Sequence, residues 1–376
     1  MALKNLISAD RARQAHQALA QPTMESELSA LAWAALLTPA CAAYARFAAR
    51  RLRPGLPRLA ALSPTFPVFA YLPCMFSSLH LRLFSTFFHT WLATNKLLLL
   101  ALDLGPLHPG LPILPFVLCT SLPIKVRLGG QSRQLQQQPA NNKQTSSSPP
   151  PVAAEFFRPC ARSVLLLSCL AAAYPYTGRL PLYALHYLYC IQIFLTLDLV
   201  FSSAALAAAA LLGESMERQF RAPLAVNSVN DFWGRQWNLM AVDLLRASAY
   251  EPVRAHWGRD AGVLAAFLMS GLLHELLYWY LTLRRPTGEM LLFFMFHAAV
   301  QIAERWARAA GLWRPPRPAA YLLGTTFMVV TISEMFFGPF VRAGADVRLT
   351  EETTAMVHMV WGAGKRLLRP FGVPSS

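Results

Sequence analysis

Charge is what this sequence has least of. Only 14% of its 376 residues are Asp, Glu, Lys or Arg, against roughly 25% in an ordinary soluble domain, and that shortage excludes a water-facing surface around most of the chain. Acids are the scarcer half, with 19 Asp and Glu against 34 Lys and Arg for a net charge of +15. Cys41, Cys74, Cys119, Cys160, Cys169 and Cys190 form no Cys-x-x-Cys pair and sit in or beside apolar blocks. Their placement excludes a disulfide framework or a zinc ribbon and marks them as reduced packing residues. There is no Gly-x-Ser-x-Gly elbow, no Gly-x-x-x-x-Gly-Lys phosphate loop, and neither a solenoid repeat nor the matched halves of a transporter. The basic excess carries no nucleic-acid signature, because the arginines fall in short stretches between apolar blocks without an aromatic-basic module. Contact with anionic lipid head groups accounts for them.

What the chain has is apolar length. Hydrophobic residues make up 55% of it, and a helix needs ~20 of them to cross the hydrocarbon of a bilayer. The blocks Leu28–Ala49, Leu59–Leu79, Leu83–Leu104, Pro181–Leu212, Ala261–Leu283, Met290–Ile302 and Ala319–Phe340 qualify or nearly so, and Leu111–Leu122 and Ser163–Tyr176 are shorter. The expectation is an all-α, polytopic membrane protein of about 8–9 transmembrane helices. Arg46, Arg50, Arg51, Arg53 and Arg58 put the loop after the first block in the cytosol. Residues 1–24 read as a disordered tail, 25–127 as N-terminal membrane helices, 128–160 as a disordered linker rich in Gln, Ser and Pro, 161–342 as a catalytic membrane core, and 343–376 as a C-terminal tail.

Chemistry-bearing residues concentrate in and before one apolar block. His274 lies about 20 Å along the block that begins at Ala261, deep in the bilayer, where a titratable side chain is a functional hypothesis by default. Low polarity keeps its ring neutral, with one nitrogen able to take up a proton. Ser270, His274 and Tyr278 recur every four residues and form a candidate polar stripe; an interhelical hydrogen bond is the plain structural alternative. His274-Glu275 begins a zinc-protease motif, but Tyr278 stands where its second histidine belongs, so no metal is expected. Upstream, Ser228 or Asn230 can cap a helix in which Asp231 and Arg235 pair at i,i+4 and Trp233 and Trp237 form an aromatic ridge suited to a bilayer interface. An interfacial anchor helix would explain the same pattern. His80, His89, His186 and His297 read as hydrogen-bonded packing residues.

The run Asn230-Asp-Phe-Trp-Gly-Arg-Gln-Trp-Asn238, followed by Ser270-Gly-Leu-Leu-His274-Glu275, resembles the plant wax synthase branch of the membrane-bound O-acyltransferases. Trp91-Leu-Ala-Thr-Asn-Lys96, Ser121-Leu-Pro-Ile-Lys125 and Tyr250-Glu-Pro-Val-Arg254 are similar to the same branch. The resemblance implies a helical bundle enclosing a tunnel in the endoplasmic reticulum membrane, long-chain acyl-CoA as donor, no permanently bound cofactor, and a fatty alcohol or a sterol as acceptor. It matches His274 to the catalytic histidine and Asn238 to the polar residue closing the tryptophan-rich motif, with Asp231, Trp233, Arg235, Trp237, Ser270 and Tyr278 as candidate substrate contacts. Gln236 departs from the arginine expected there. A transporter or a non-catalytic lipid-binding protein remains the alternative of another class.

Overall fold

The computed structural model describes residues 23–124, 152–213, 216–221, 226–313 and 315–368, and among these all regular secondary structure is helical. In chain order the helices are α1 (Met24–Arg51), α2 (Leu56–Leu62), α3 (Thr65–Tyr71), α4 (Leu79–Ser85), α5 (Thr94–Ala101), α6 (Ile113–Ser121), α7 (Val152–Ala173), α8 (Leu182–Leu212), α9 (Leu239–Leu245), α10 (Glu251–Thr282), α11 (Glu289–Ala309), α12 (Arg317–Thr331), α13 (Phe337–Ala343) and α14 (Ala345–Leu368). Wider π-helical turns at Thr86–Ala93, Arg246–Tyr250 and Ile332–Phe336 join α4 to α5, α9 to α10 and α12 to α13, and a fourth, Phe232–Gln236, follows one short helical turn at Val229–Asp231 ahead of α9. Among the described residues, five helical stretches are long and apolar enough to cross a membrane: Met24–Arg51, Phe156–Arg179, Leu182–Leu212, Leu239–Thr282 and Arg317–Ala343.

Several expected spans differ from the sequence reading for physical reasons. The block beginning at Leu59 is not one helix, because Pro64 and Pro73 interrupt it, and proline lacks the amide hydrogen and clashes with the preceding turn; α2, α3 and a 3-10 turn at Leu72–Met75 result. The short block beginning at Ser163 is the end of a full-length helix, since α7 starts at Val152 and carries the polar residues read as linker. The rest of that linker lies outside the described residues, as does most of the N-terminal tail. Residues 345–368 are not a free tail but helix α14, packed against α4 and α7. All six cysteines are unpaired thiols.

Breaking helices inside an apolar bundle exposes end groups that lipid cannot satisfy, and buried charged side chains meet that need here. Lys96, fully buried, donates to the carbonyls of Cys119 (2.5 Å) and Leu122 (2.7 Å) at the C-terminal end of α6. Arg58 reaches the carbonyls of Leu52 and Leu100 and the carboxylate of Asp103. Glu275 on α10 accepts from the backbone N–H groups of Thr287, Met290 and Leu291 at 3.1, 2.9 and 3.2 Å, and so caps the start of α11. A carboxylate on an N-terminus and a cation on a C-terminus also complement the helix dipole. Gly271 lets α10 and α11 approach closely: a Cβ there would meet the backbone of Leu291 at 2.9 Å.

Candidate active site

A cavity of about 670 Å³ lies inside the bundle, lined by Arg254 before the sharp kink of α10 at Gly258 and by Arg259, Ser270, His274, Leu277 and Leu281 after it. Each π-helical turn supplies part of its wall, among them Phe87 and Trp91, Trp233, Tyr250, and Phe336. Such turns widen the helix and re-aim side chains, which is why they recur at functional sites.

His274 is held from two sides. Its Nδ1 lies 2.7 Å from the carbonyl oxygen of Ser270 one turn earlier, and Phe294 and Phe336 bracket the ring with centroids 4.4 and 5.9 Å away. A carbonyl can only accept, so Nδ1 carries the hydrogen and Nε2 keeps its lone pair. Nε2 has no partner among the described residues, and the side chain borders the cavity. The other buried histidines are different. His297 accepts from the Trp233 indole at Nδ1 (3.0 Å) and donates from Nε2 to Thr331, whose hydroxyl is committed to Phe327. His89 is engaged by Ser85 and Thr38, and His80 by Glu352 and Thr353. His186 has an unpaired Nδ1 but packs between Tyr189 and Phe337 away from the cavity lining.

Asn238 faces the same cavity from the loop before α9. Its backbone is left-handed (φ 42°, ψ 68°), a conformation asparagine tolerates better than most residues. It caps α9 through Oδ1, which accepts from the N–H of Ala241 at 3.2 Å. That bond orients the amide so that its Nδ2 hydrogens remain as donors, with no described protein partner. A lone-pair nitrogen and an amide donor therefore border one largely apolar chamber.

The remaining sequence candidates divide between this chamber and its surroundings. Ser270, Trp233 and Trp237 line it. Both tryptophans also make contacts within the protein: Trp233 donates to His297, and Trp237 stacks on Phe232 at 5.7 Å and meets Phe220 edge-on. Tyr278 is buried against Phe340 and does not reach the cavity, because a repeat of four residues drifts about 40° per step around a helix of 3.6 residues per turn. Leu277 and Leu281 take that face instead. Ser228 caps the turn at Asp231 as expected (3.0 Å), and Asp231 and Arg235 pair at 3.7 Å. Both belong to a neighbouring cleft of about 400 Å³ that also takes in Arg259, Arg305, Arg308 and Arg317. Gln236 clamps Asp231 with a 2.7 Å hydrogen bond, a structural role for the residue that departs from the motif. Asn230 and Arg259 border both spaces; the sequence offered Asn230 only as a possible cap and as the head of the tryptophan-rich run, and gave no signal for Arg259.

Fold and cavity define the class: a polytopic helical membrane protein whose chemistry-bearing side chains turn toward an internal, lipid-sized chamber. Residues 216–296, which include both Asn238 and His274, match the model of the Membrane bound O-acyl transferase family. The chain is 33% identical over 347 residues to the Long-chain-alcohol O-fatty-acyltransferase of Simmondsia chinensis, covering 89% of this chain and 96% of that protein. It is 32% identical over 330 residues to Probable long-chain-alcohol O-fatty-acyltransferase 9 of Arabidopsis thaliana (84% and 92%) and 32% identical over 338 residues to Acyl-CoA--sterol O-acyltransferase 1 of the same plant (86% and 94%). This chain belongs to the membrane-bound O-acyltransferase family.

Proposed function

We propose that the protein esterifies a long-chain fatty alcohol with the acyl group of a long-chain acyl-CoA, yielding a wax ester and free CoA within the endoplasmic reticulum membrane, with no permanently bound cofactor. The observation that carries this reading is the hydrogen bonding of His274: with Nδ1–H held by Ser270, Nε2 keeps its lone pair on a side chain that lines the cavity, which suits it to act as the base. The alcohol oxygen attacks the thioester carbon as Nε2 takes the hydroxyl proton. The carbon–sulfur bond then breaks, and the proton passes to the departing thiolate. General-base assistance of this kind contributes typically 10²–10⁴-fold. Asn238 Nδ2, left as a donor by the α9 cap, suits the oxyanion that develops on the thioester carbonyl. The apolar walls exclude water that would otherwise hydrolyse the donor.

Arg246, Arg254 and Arg259 border the cavity at the end away from Leu281, and guanidinium groups there suit the phosphates of CoA arriving from the cytosol. Arg235, 76% exposed at its side chain, serves the adjoining cleft, where it meets lipid head groups or the same phosphates. The relatives named for long-chain alcohols favour the alcohol as acceptor, and the sterol acyltransferase among them supports a sterol as second reading. Expression in cells unable to make neutral esters, fed labelled acyl-CoA with a fatty alcohol, a sterol or a diacylglycerol, decides between them. Labelled wax ester is the expected product, and sterol ester alone would replace the first reading with the second.

A further inference from the structure

Five arginines converge on the cleft beside the chamber: Arg235, Arg259, Arg305, Arg308 and Arg317. They come from four separate stretches of chain, so the surface composition of one helix does not explain the gathering. The acids present are already engaged. Glu304 accepts from the backbone of Val229 and pairs with Arg308, Asp231 is held by Gln236 and Arg235, and Asp260 takes Arg305 and the Trp306 indole. Among the described residues, Arg259 and Arg317 pair with no carboxylate. Helix α12 adds to the same charge. It begins at Arg317 with no side chain capping it, and Arg317 and Ala320 of its first turn line the cleft. A helix start carries a partial positive charge and unpaired N–H groups, which suit a phosphate.

The cleft also lies where the chain meets the edge of the bilayer. Helix α12 opens a stretch, Arg317–Ala343, that is long and apolar enough to cross a membrane, and Trp306, Trp313 and Tyr321, all with exposed rings, flank the α11–α12 connection. Aromatic side chains with an apolar ring and a polar tip concentrate at head-group depth. Further along α12, about 8 Å beyond Arg317, Leu322 and Leu323 are exposed, in the place where acyl chains below a head group in the cleft would run. The wall shared with the chamber is braced: Asn230, which borders both spaces, accepts from Gln301 at 3.1 Å, and its backbone is held by Glu304. A ligand at the membrane edge leaves that brace intact, whereas CoA seated in the cleft has to extend past it to bring a thioester to His274.

We propose that this cleft is a binding site for the phosphate of an anionic membrane lipid, best matched by a diacyl lipid ending in a phosphomonoester, as in phosphatidic acid. Guanidinium forks bond phosphate oxygens in pairs, and the terminal oxygens of a phosphomonoester suit Arg308, Arg317 and the start of α12 together, with Arg259 adding its charge from the shared wall. A zwitterionic head group brings a quaternary ammonium among guanidinium groups and is disfavoured. The lipid is not a substrate; it ties the adjoining ends of α10, α11 and α12 together beside the chamber.

The test places the full chain in nanodiscs of phosphatidylcholine with a minor share of phosphatidic acid, and native mass spectrometry counts the lipid that stays with the protein on extraction into mild detergent. The wild type should retain phosphatidic acid in preference to phosphatidylcholine. An Arg308→Gln, Arg317→Gln double variant should lower that preference about five- to thirtyfold, the range for one to two arginines acting on an anionic lipid. Retention should fall as salt rises, and at constant ionic strength it should persist in saturating unacylated CoA and in inorganic phosphate. Displacement by either overturns the proposal by assigning the cleft to a soluble phosphate. Equal retention of the two lipids, or a preference unmoved in the double variant, overturns it as well. Ester formation in the same nanodiscs reports separately on the acyltransferase reading, which none of these outcomes touches. Should the double variant fold poorly, the wild-type lipid preference and the CoA competition decide.

Discussion

Glu275 follows the candidate base directly, so replacing it separates a structural neighbour from a chemical one. Its carboxylate holds three backbone N–H groups at the start of α11. In Glu275→Ala, Thr287 is exposed and finds water, whereas the Met290 amide is completely buried and is left without an acceptor. An unsatisfied buried amide costs about 1–3 kcal/mol, and loss of the negative charge from a partly buried helix N-terminus adds up to ~2 kcal/mol. The sum is a loss of about 3 kcal/mol, and Glu275→Gln, which keeps one acceptor oxygen, should lose less than half of it. Thermal unfolding of the purified protein in detergent reads the difference as a lower midpoint for Ala than for Gln. Ester formation per folded molecule should stay within a few-fold of wild type in both. Normal stability combined with a rate as low as that of a His274 variant would refute the reasoning, because Glu275 would then act on the chemistry and not on the helix end.

Three further outcomes follow from the same geometry. Lys96→Met strips the Cys119 and Leu122 carbonyls of their donor and should destabilise by about 2–4 kcal/mol, by the cost of unpaired buried acceptors, seen as faster proteolysis at the end of α6. Burial alone would raise the Glu352 carboxyl, but hydrogen bonds from His80, the backbone of Leu79 and His80, and Ser78 outweigh it and hold the group down at about 2. Its folded value lies below its ordinary 4.5, so its contribution is complete above that pH and is lost as pH falls toward 2; Glu352→Gln should flatten this acid limb of stability. Arg254→Ala should raise the KM for acyl-CoA several-fold with little change in kcat, an effect that weakens as salt rises; an unchanged KM would leave Arg254 to its exposed pairing with Glu251.

The helical membrane character, the histidine deep in an apolar block and the tryptophan-rich run were legible because each is a local property of sequence. Apolar length marks a helix, and a histidine deep within one is conspicuous. Proline interruption of the second block was equally visible but yielded to a reading of hydropathy alone. What could not be read were properties of pairs. Nothing in the chain near Trp233 announces its bond to His297, 64 residues away. Tyr278 shared a periodicity with His274, yet a few tens of degrees of drift and the presence of Phe340 turned it out of the chamber. The tail after residue 343 gave no apolar block of spanning length, and its weight comes from Glu352 and Thr353 reaching α4 across more than 270 positions. Arg235 and Asp231 paired as their spacing required, but spacing says nothing about which of two adjoining spaces they face.

The measurement closest to the centre is single-turnover ester formation by His274→Ala beside Asn238→Ala and wild type, at equal amounts of folded protein and saturating acyl-CoA and fatty alcohol. Removing the base should slow acyl transfer by 10²–10⁴-fold while donor binding persists, and Asn238→Ala should also slow it through the lost amide donor. A His274→Ala protein that forms ester at a near-wild-type rate would contradict the role assigned to that ring.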